Sequence, residues 1–76
     1  MRELSVDICN YIKKEWISKW KGSIRSFADA HDVDEKTVRQ IMGIEEKDYQ
    51  INLYTLENMC RSREISLSEF FQYIKR

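Results

Sequence analysis

The chain contains no proline and only two glycines among its 76 residues. Both residue types disfavour helix interiors and mark the turns of β-rich folds, so their scarcity favours a helical fold. No stretch approaches the roughly 18 apolar residues that a membrane span needs. Polar residues such as Asp7, Asn10 and Lys13 also interrupt the N-terminus too early for a signal peptide. We therefore expect a soluble, cytoplasmic protein without a membrane partner.

Metal-binding and nucleophilic side chains are also scarce. The chain has two cysteines, Cys9 and Cys60, and one histidine, His31, without the spacing of a zinc site. We expect two buried thiols in a reducing compartment and no metal or other cofactor. His31 is expected at the surface or at a helix end, without a catalytic role. No nucleophile–base pair, carboxylate dyad or glycine-rich phosphate loop is present, which argues against an enzyme.

Thirteen basic and thirteen acidic residues cancel, so the formal net charge is zero. This balance weakens a nucleic-acid interpretation, because phosphate contacts supply much of the affinity for nucleic acids. The charge is nevertheless uneven along the chain. A basic cluster (Lys13, Lys14, Lys19, Lys21 and Arg25) precedes an acidic one (Asp29, Asp32, Asp34 and Glu35). A basic patch can therefore exist on a neutral protein.

The chain length fits one domain, residues 1–76, and the apolar spacing predicts five short helices. The first runs from about residue 3 to 21, with an apolar stripe of Leu4, Ile8, Ile12 and Trp16. Gly22 is expected to end it in the left-handed conformation. Trp16 and Trp20 are both expected in the core or partly covered.

Polar residues in capping positions delimit the other helices. The second helix covers residues 24–31 after a cap at Ser23, and the third covers 35–42 between Asp34 and Gly43. Residues 44–51 have no clear period and are predicted as a loop. A fourth helix starts at the Asn52 cap and runs to about residue 63, burying Leu53, Leu56 and Met59 or Cys60. A fifth opens with the capping-box pair Ser66 and Glu69, burying Leu67, Phe70, Phe71 and Ile74.

The segment IRSFADAHDVDEKTVRQIM, residues 24–42, has the pattern of a helix-turn-helix. Ala28 is followed by Val33, Val38 and Ile41 at five, ten and thirteen residues. Two helices that cross steeply need a small residue where they touch, and Ala28 provides it. Phe27 and the three later apolar residues then fill the wedge between the helices, which leaves the outer face of the second free for a DNA groove.

These residues resemble the Cro/C1-type (XRE) helix-turn-helix family, which consists largely of bacterial and phage DNA-binding regulators. The Tyr54-Thr55-Leu56 sequence and residues 65–71, ISLSEFF, are similar to the family's fourth helix and its ending. The resemblance implies a lambda-repressor-like fold and a dimeric, sequence-specific transcriptional regulator of double-stranded DNA.

The chain departs from the family pattern at three positions. Asp32 stands where the family usually has a turn glycine, and aspartate tolerates the left-handed conformation better than most residues. Ile24 replaces a common glutamine that contacts phosphate, and Met42 replaces a common glutamate. We expect these changes to preserve the fold, but they call the family's usual phosphate clamp into question.

The resemblance also assigns roles to individual residues. The predicted base-reading residues are Glu35, Lys36, Arg39 and Gln40, whereas Asp34 is assigned to the cap. The predicted phosphate contacts are Lys21, Ser23 and Arg25 near the second helix, and Lys47 and Tyr49 in the following loop.

Two further interpretations concern partners. The apolar fifth helix, or the first helix, is predicted to form a homodimer contact. The alternative function is a protein-interaction module, or an antitoxin-type partner, that has kept the fold with weak or lost DNA binding. The zero net charge, Ile24 and the acidic Asp34 and Glu35 motivate this alternative.

Overall fold

The computed structural model describes residues 2–46 and 49–74, which form five α-helices and no β-strand. The predicted all-α class is therefore confirmed. The helices are α1 (Arg2–Tyr11), α2 (Ile24–Ala30), α3 (Glu35–Met42), α4 (Leu53–Ser62) and α5 (Leu67–Ile74). A π-helical segment, Ile12–Ile17, continues α1 without a break.

The first helical stretch ends at Ile17, so the prediction that it continues to Lys21 is wrong. At this end, the Ser18 backbone N–H donates to the Lys13 carbonyl and the Ser18 hydroxyl donates to the Lys14 carbonyl. The π-helical widening keeps the apolar stripe on the core side. Apolar residues spaced strictly by four drift about 40° per step around a helix of 3.6 residues per turn. A wider turn returns Trp16 to the core face, where it is buried.

One hydrophobic core is contributed by all five helices and the π-helical segment. Its buried apolar members are Ile8, Cys9, Ile12, Trp16, Phe27, Ala28, Val38, Ile41, Ile44, Leu56, Met59, Cys60 and Phe70. The predicted burial of Leu53 is wrong, since it is 64% exposed on the outer face of the first turn of α4. Ile44 lies outside the helices, as predicted, but it is only 1% exposed.

The helix caps largely match the sequence. The side chains of Ser23 and Asn52 accept hydrogen bonds from the backbone N–H three residues on, at 3.1 and 2.7 Å. Ser66 and Glu69 form the reciprocal capping box, with both bonds at 3.0 Å. Asp34 occupies the capping position of α3, but its side chain makes no capping hydrogen bond.

Two helices end in Schellman motifs built on non-glycine residues in the left-handed region. Asp32 has φ 57° after α2, and the Val33 N–H donates to the Ala28 carbonyl at 3.0 Å. Glu64 has φ 60° after α4, with the matching bond from Ile65 to Cys60 at 3.0 Å. The predicted tolerance of Asp32 for this conformation is confirmed. The prediction for Gly22 is wrong, since neither Gly22 nor Gly43 has a positive φ.

Replacing Glu64 by glycine should stabilise the protein. A residue with a Cβ costs about 1–2 kcal/mol in the left-handed region, and the extra freedom of glycine in the unfolded chain removes part of that gain. We expect the free energy of unfolding to rise by about 1 kcal/mol in urea titrations. Glu64→Ala, which keeps the Cβ, is the matched control. A Glu64→Gly variant no more stable than this control would contradict the expectation.

His31 is 3% exposed and lies at the end of α2. Of the two positions expected for it, the helix end is confirmed and the surface is wrong. Its ring stacks on Phe27 with centroids 3.9 Å apart and lies near Trp16 and Trp20. The neutral ring can donate from Nδ1 to the Phe27 carbonyl, 2.8 Å away. Burial, aided by the positive charge of Arg63, lowers the pKa of His31 below its usual 6.5.

Stability should therefore fall as the pH drops below about 6.5. The folded state has the lower His31 pKa, so in this range the unfolded state binds more protons and gains stability relative to it. The loss should begin near the unfolded value, reach at most about 1.4 kcal/mol per pH unit, and level off below the folded value. Urea titrations between pH 8 and 5 measure this slope. Because His31 is the only histidine, His31→Gln should flatten the curve in that window, and an unchanged slope would contradict the assignment.

Candidate nucleic-acid interface

The α2–α3 unit consists of two helices packed on each other through the turn at residues 31–34. Ala28 of α2 is 2% exposed, and Val38 and Ile41 of α3 are completely buried in the same cluster. The turn is also braced from outside the unit, since the Asn58 amide donates to the Asp32 carbonyl at 3.4 Å. The internal packing and this contact with α4 together fix the angle at which α3 is presented.

The outer face of α3 carries the four predicted base-reading residues. Lys36 and Arg39 are exposed, and Glu35 and Gln40 are half-buried. Arg39 Nη2 donates to Glu35 Oε2 at 2.5 Å, and the side chains of this pair are 61% and 38% exposed. The packing of α3 therefore leaves Lys36 and the Glu35–Arg39 ion pair facing solvent.

Acidic side chains surround the start of α3. Asp32 and Asp34 are exposed at this end, and they line a polar cleft of about 340 Å³ together with Thr37, Tyr54 and residues of α4. Glu35 begins the helix itself. The first turn of α3 thus carries both the Glu35 carboxylate and the Lys36 cation, and Arg39 follows one turn after Glu35. Any polyanion that approaches α3 would meet carboxylates at one end and cations along the exposed face.

The residues predicted to contact phosphate differ in their exposure to solvent. Lys21, Ser23 and Arg25 are exposed around the start of α2. Tyr49 is half-buried beside Cys9, and burial raises the pKa of its phenol. Its backbone carbonyl accepts a bond from the buried Ser5 hydroxyl at 3.1 Å, so this residue is tied to α1. Lys47 lies outside the described residues.

Trp20 holds the start of α2 in place, a role that the sequence did not reveal. Its indole Nε1 donates to the Ser26 hydroxyl at 2.9 Å, and that hydroxyl donates to the Ser23 carbonyl at 2.8 Å. Gly22 makes room for this chain of bonds, because a Cβ there would collide with the Ser26 oxygen and lie 2.8 Å from Trp20 Nε1. Lack of a side chain, rather than a left-handed backbone, explains this glycine.

Two large apolar residues stand exposed at the start of α4. Leu53 is 64% exposed and Tyr54 is 72% exposed. Tyr54 also lines the polar cleft beside the turn, so this apolar pair lies next to the α2–α3 unit. An aromatic residue this exposed contributes little to the core, and aromatic residues are enriched where proteins contact other macromolecules.

Burial keeps the two cysteine thiols, which lie outside the α2–α3 unit, unreactive. Burial raises the pKa values of Cys9 and Cys60 to about 11, so both thiols stay protonated at neutral pH. The two thiols are free, as predicted. Within residues 2–46 and 49–74, no three His, Cys, Asp or Glu side chains converge in a way that could hold a metal ion. None of the helices described has the length and apolar character needed to cross a bilayer.

Comparison with known protein families, with curated proteins and with solved structures returns no match for this chain. Its function must therefore be argued from its own residues and geometry. Two features matter most for that purpose. One is the braced α2–α3 unit, and the other is the exposed polar face of α3 with Lys36 and Arg39.

Proposed function

We propose that this protein is a sequence-specific DNA-binding transcriptional regulator that inserts α3 into the major groove. The observation that carries the proposal is the exposure of Lys36 and Arg39 on a helix whose opposite face is buried against α2. A major groove about 12 Å wide admits one such helix. Lysine and arginine donate to guanine, glutamine pairs with adenine, and glutamate accepts from cytosine, which gives each outward residue a base to read.

The exposure of the predicted phosphate-contacting residues at the start of α2 supports this arrangement. Lys21, Ser23 and Arg25 are exposed there, and Ser23 keeps a hydroxyl hydrogen to donate although its oxygen accepts the capping bond. Such contacts set the position of a reading helix without carrying sequence information. The spacing of residues 24–42 separately supports membership of the Cro/C1-type family, which is largely bacterial and phage.

A homodimer belongs to the proposal because one small module reads only a few base pairs. Tyr73 of α5 is 48% exposed, and Phe71 and Ile74 are half-buried beside it. These side chains offer an apolar contact for a second copy. Two copies of α3 would then read half-sites about 34 Å apart, one turn of the double helix.

Selection from a random duplex library tests the proposed function. We expect the wild-type protein to enrich a two-fold symmetric motif, and its affinity for the selected site to fall steeply with salt. Binding to the selected site, measured from about 50 to 200 mM salt, gives the number of phosphates neutralised. Failure to enrich any motif, together with no binding to duplex DNA at low salt, would reject the proposal.

A second candidate function is a protein-interaction module. The exposure of Leu53 and Tyr54 favours it, because large apolar residues are common in the buried centre of protein interfaces. Leu53→Ser and Tyr54→Ser distinguish the two functions. Loss of a protein partner without any change in DNA affinity would assign this apolar pair to protein binding. An equal loss of DNA affinity would place it at the DNA interface.

A further inference from the structure

The Glu35–Arg39 ion pair lies on the outer face of α3, among the residues that would meet DNA. Arg39 Nη2 and Glu35 Oε2 are 2.5 Å apart, and the residues are four positions apart on one helix. Both side chains remain substantially exposed, at 61% and 38%. Exposed pairs of this kind add little to folding stability. The pair is therefore better placed to affect what α3 binds than how the protein folds.

The pair changes which acceptors Arg39 can use. A guanidinium carries five N–H donors, so one bond to Glu35 leaves others free for a ligand. A guanine edge offers the neutral acceptors O6 and N7, which can lie near a carboxylate without the repulsion between two full negative charges. A phosphate is anionic, so binding it at Arg39 would bring it close to the Glu35 carboxylate. The pair as a unit has no net charge and therefore favours a base edge over the DNA backbone.

We infer that Glu35 is a specificity-determining residue that directs Arg39 toward a guanine edge and away from phosphate. This inference rests on the proposed DNA-binding function and assigns Glu35 a role in specificity rather than in affinity. Asp32 and Asp34 are exposed at the same end of α3, and their negative charge would repel DNA phosphates that approach this end. Such repulsion against wrong partners is a general source of specificity.

Glu35→Gln tests the inference because it removes the charge and keeps the size of the side chain. We expect the variant to bind unrelated duplex about fivefold more tightly at low salt, with a log–log salt slope steeper by about 0.9, because the freed Arg39 neutralises one more phosphate. Affinity for the selected site should change less, so the ratio of specific to non-specific affinity should fall. The thermal midpoint should not change.

Glu57→Gln is the matched control. It breaks a pair of the same type on α4, where Arg61 Nη2 lies 3.5 Å from Glu57 Oε1. This control should leave both the salt slope and the specificity ratio at wild-type values. In an Arg39→Ala background, Glu35→Gln should no longer steepen the slope, which would link its effect to Arg39.

The outcomes separate the inference from the function on which it rests. If the wild-type protein discriminates between DNA sequences but Glu35→Gln behaves like Glu57→Gln, the role of Glu35 is wrong and the DNA-binding function stands. An undiminished effect in the Arg39→Ala background would also overturn the inference. If the wild-type protein binds no duplex at low salt, both are wrong.

Discussion

Arg39→Ala should reduce affinity for the selected DNA site by about 5- to 150-fold, or about 1–3 kcal/mol. A bidentate arginine–guanine contact is the commonest specific contact in the major groove, and alanine removes both donors. The loss should concentrate at one base position of the half-site, whose preference should blur in the selected motif. Quantitative binding to duplexes that carry each base at that position measures both effects.

Arg61→Ala is the matched control for this result. Arg61 is an exposed arginine on α4 that also pairs with an acid four residues earlier, so its removal changes the net charge equally. It should leave the selected motif unchanged. Equal loss of affinity from Arg39→Ala on every sequence, with the motif preserved, would instead assign Arg39 to phosphate. No loss from Arg39→Ala would contradict the proposed position of α3.

Phe70→Ala should cost about 3–5 kcal/mol of folding free energy, the usual range for removing a buried phenylalanine. Phe70 is fully buried, and its ring makes edge contacts with Tyr11 and Trp16 at centroid distances of 5.3 and 5.5 Å. The substitution would remove these contacts and leave a cavity between α5 and the first helical stretch. Small domains are only about 5–15 kcal/mol stable, so much of the margin would be lost.

Urea unfolding measures this cost directly. Tyr54→Ala provides the control, because Tyr54 is an aromatic residue that is 72% exposed. It should change the free energy of unfolding by less than about 0.5 kcal/mol, as surface substitutions usually do. A Phe70→Ala variant with nearly the stability of this control would show that α5 does not depend on Phe70 for its attachment.

Local signals predicted much of the fold. Capping residues such as Ser23 and Asn52 placed helix starts correctly, because a cap depends only on the next three residues. The Ser66–Glu69 box formed for the same reason. The left-handed conformation of Asp32 was anticipated from the resemblance, because the family usually has a turn glycine at this position.

Features that depend on tertiary packing were missed. Ile44 lies in an aperiodic segment, so nothing in its neighbours indicated that the core would receive it. Leu53 was placed inside because it is spaced three residues before Leu56 in the apolar pattern, but the phase of α4 turns it outward. The π-helical segment was missed as well, because residues spaced by four, such as Ile8, Ile12 and Trp16, also fit one face of an ordinary α-helix.

The candidate interface likewise contains some contacts that the sequence could predict and others that it could not. Pairing of Glu35 with Arg39 could have been expected from their spacing on one helix. The bond from Trp20 to Ser26 could not, since it requires the turn around Gly22 to fold back on α2. Nor did the sequence show that Tyr49 is drawn toward α1 through Ser5. Helix-surface contacts follow from sequence spacing, whereas contacts between elements follow from how they pack.

Chemical-shift mapping by NMR with duplex DNA tests the central claim most directly, namely that the exposed face of α3 is the DNA-contacting surface. Titration of the protein with its selected duplex should shift the backbone amides of residues 34–40 most, followed by residues 21–25 at the start of α2. The amides of Leu67–Ile74 should move little in a protein that is already dimeric. Large shifts confined to α5 or the start of α4, with residues 34–40 unmoved, would contradict the account.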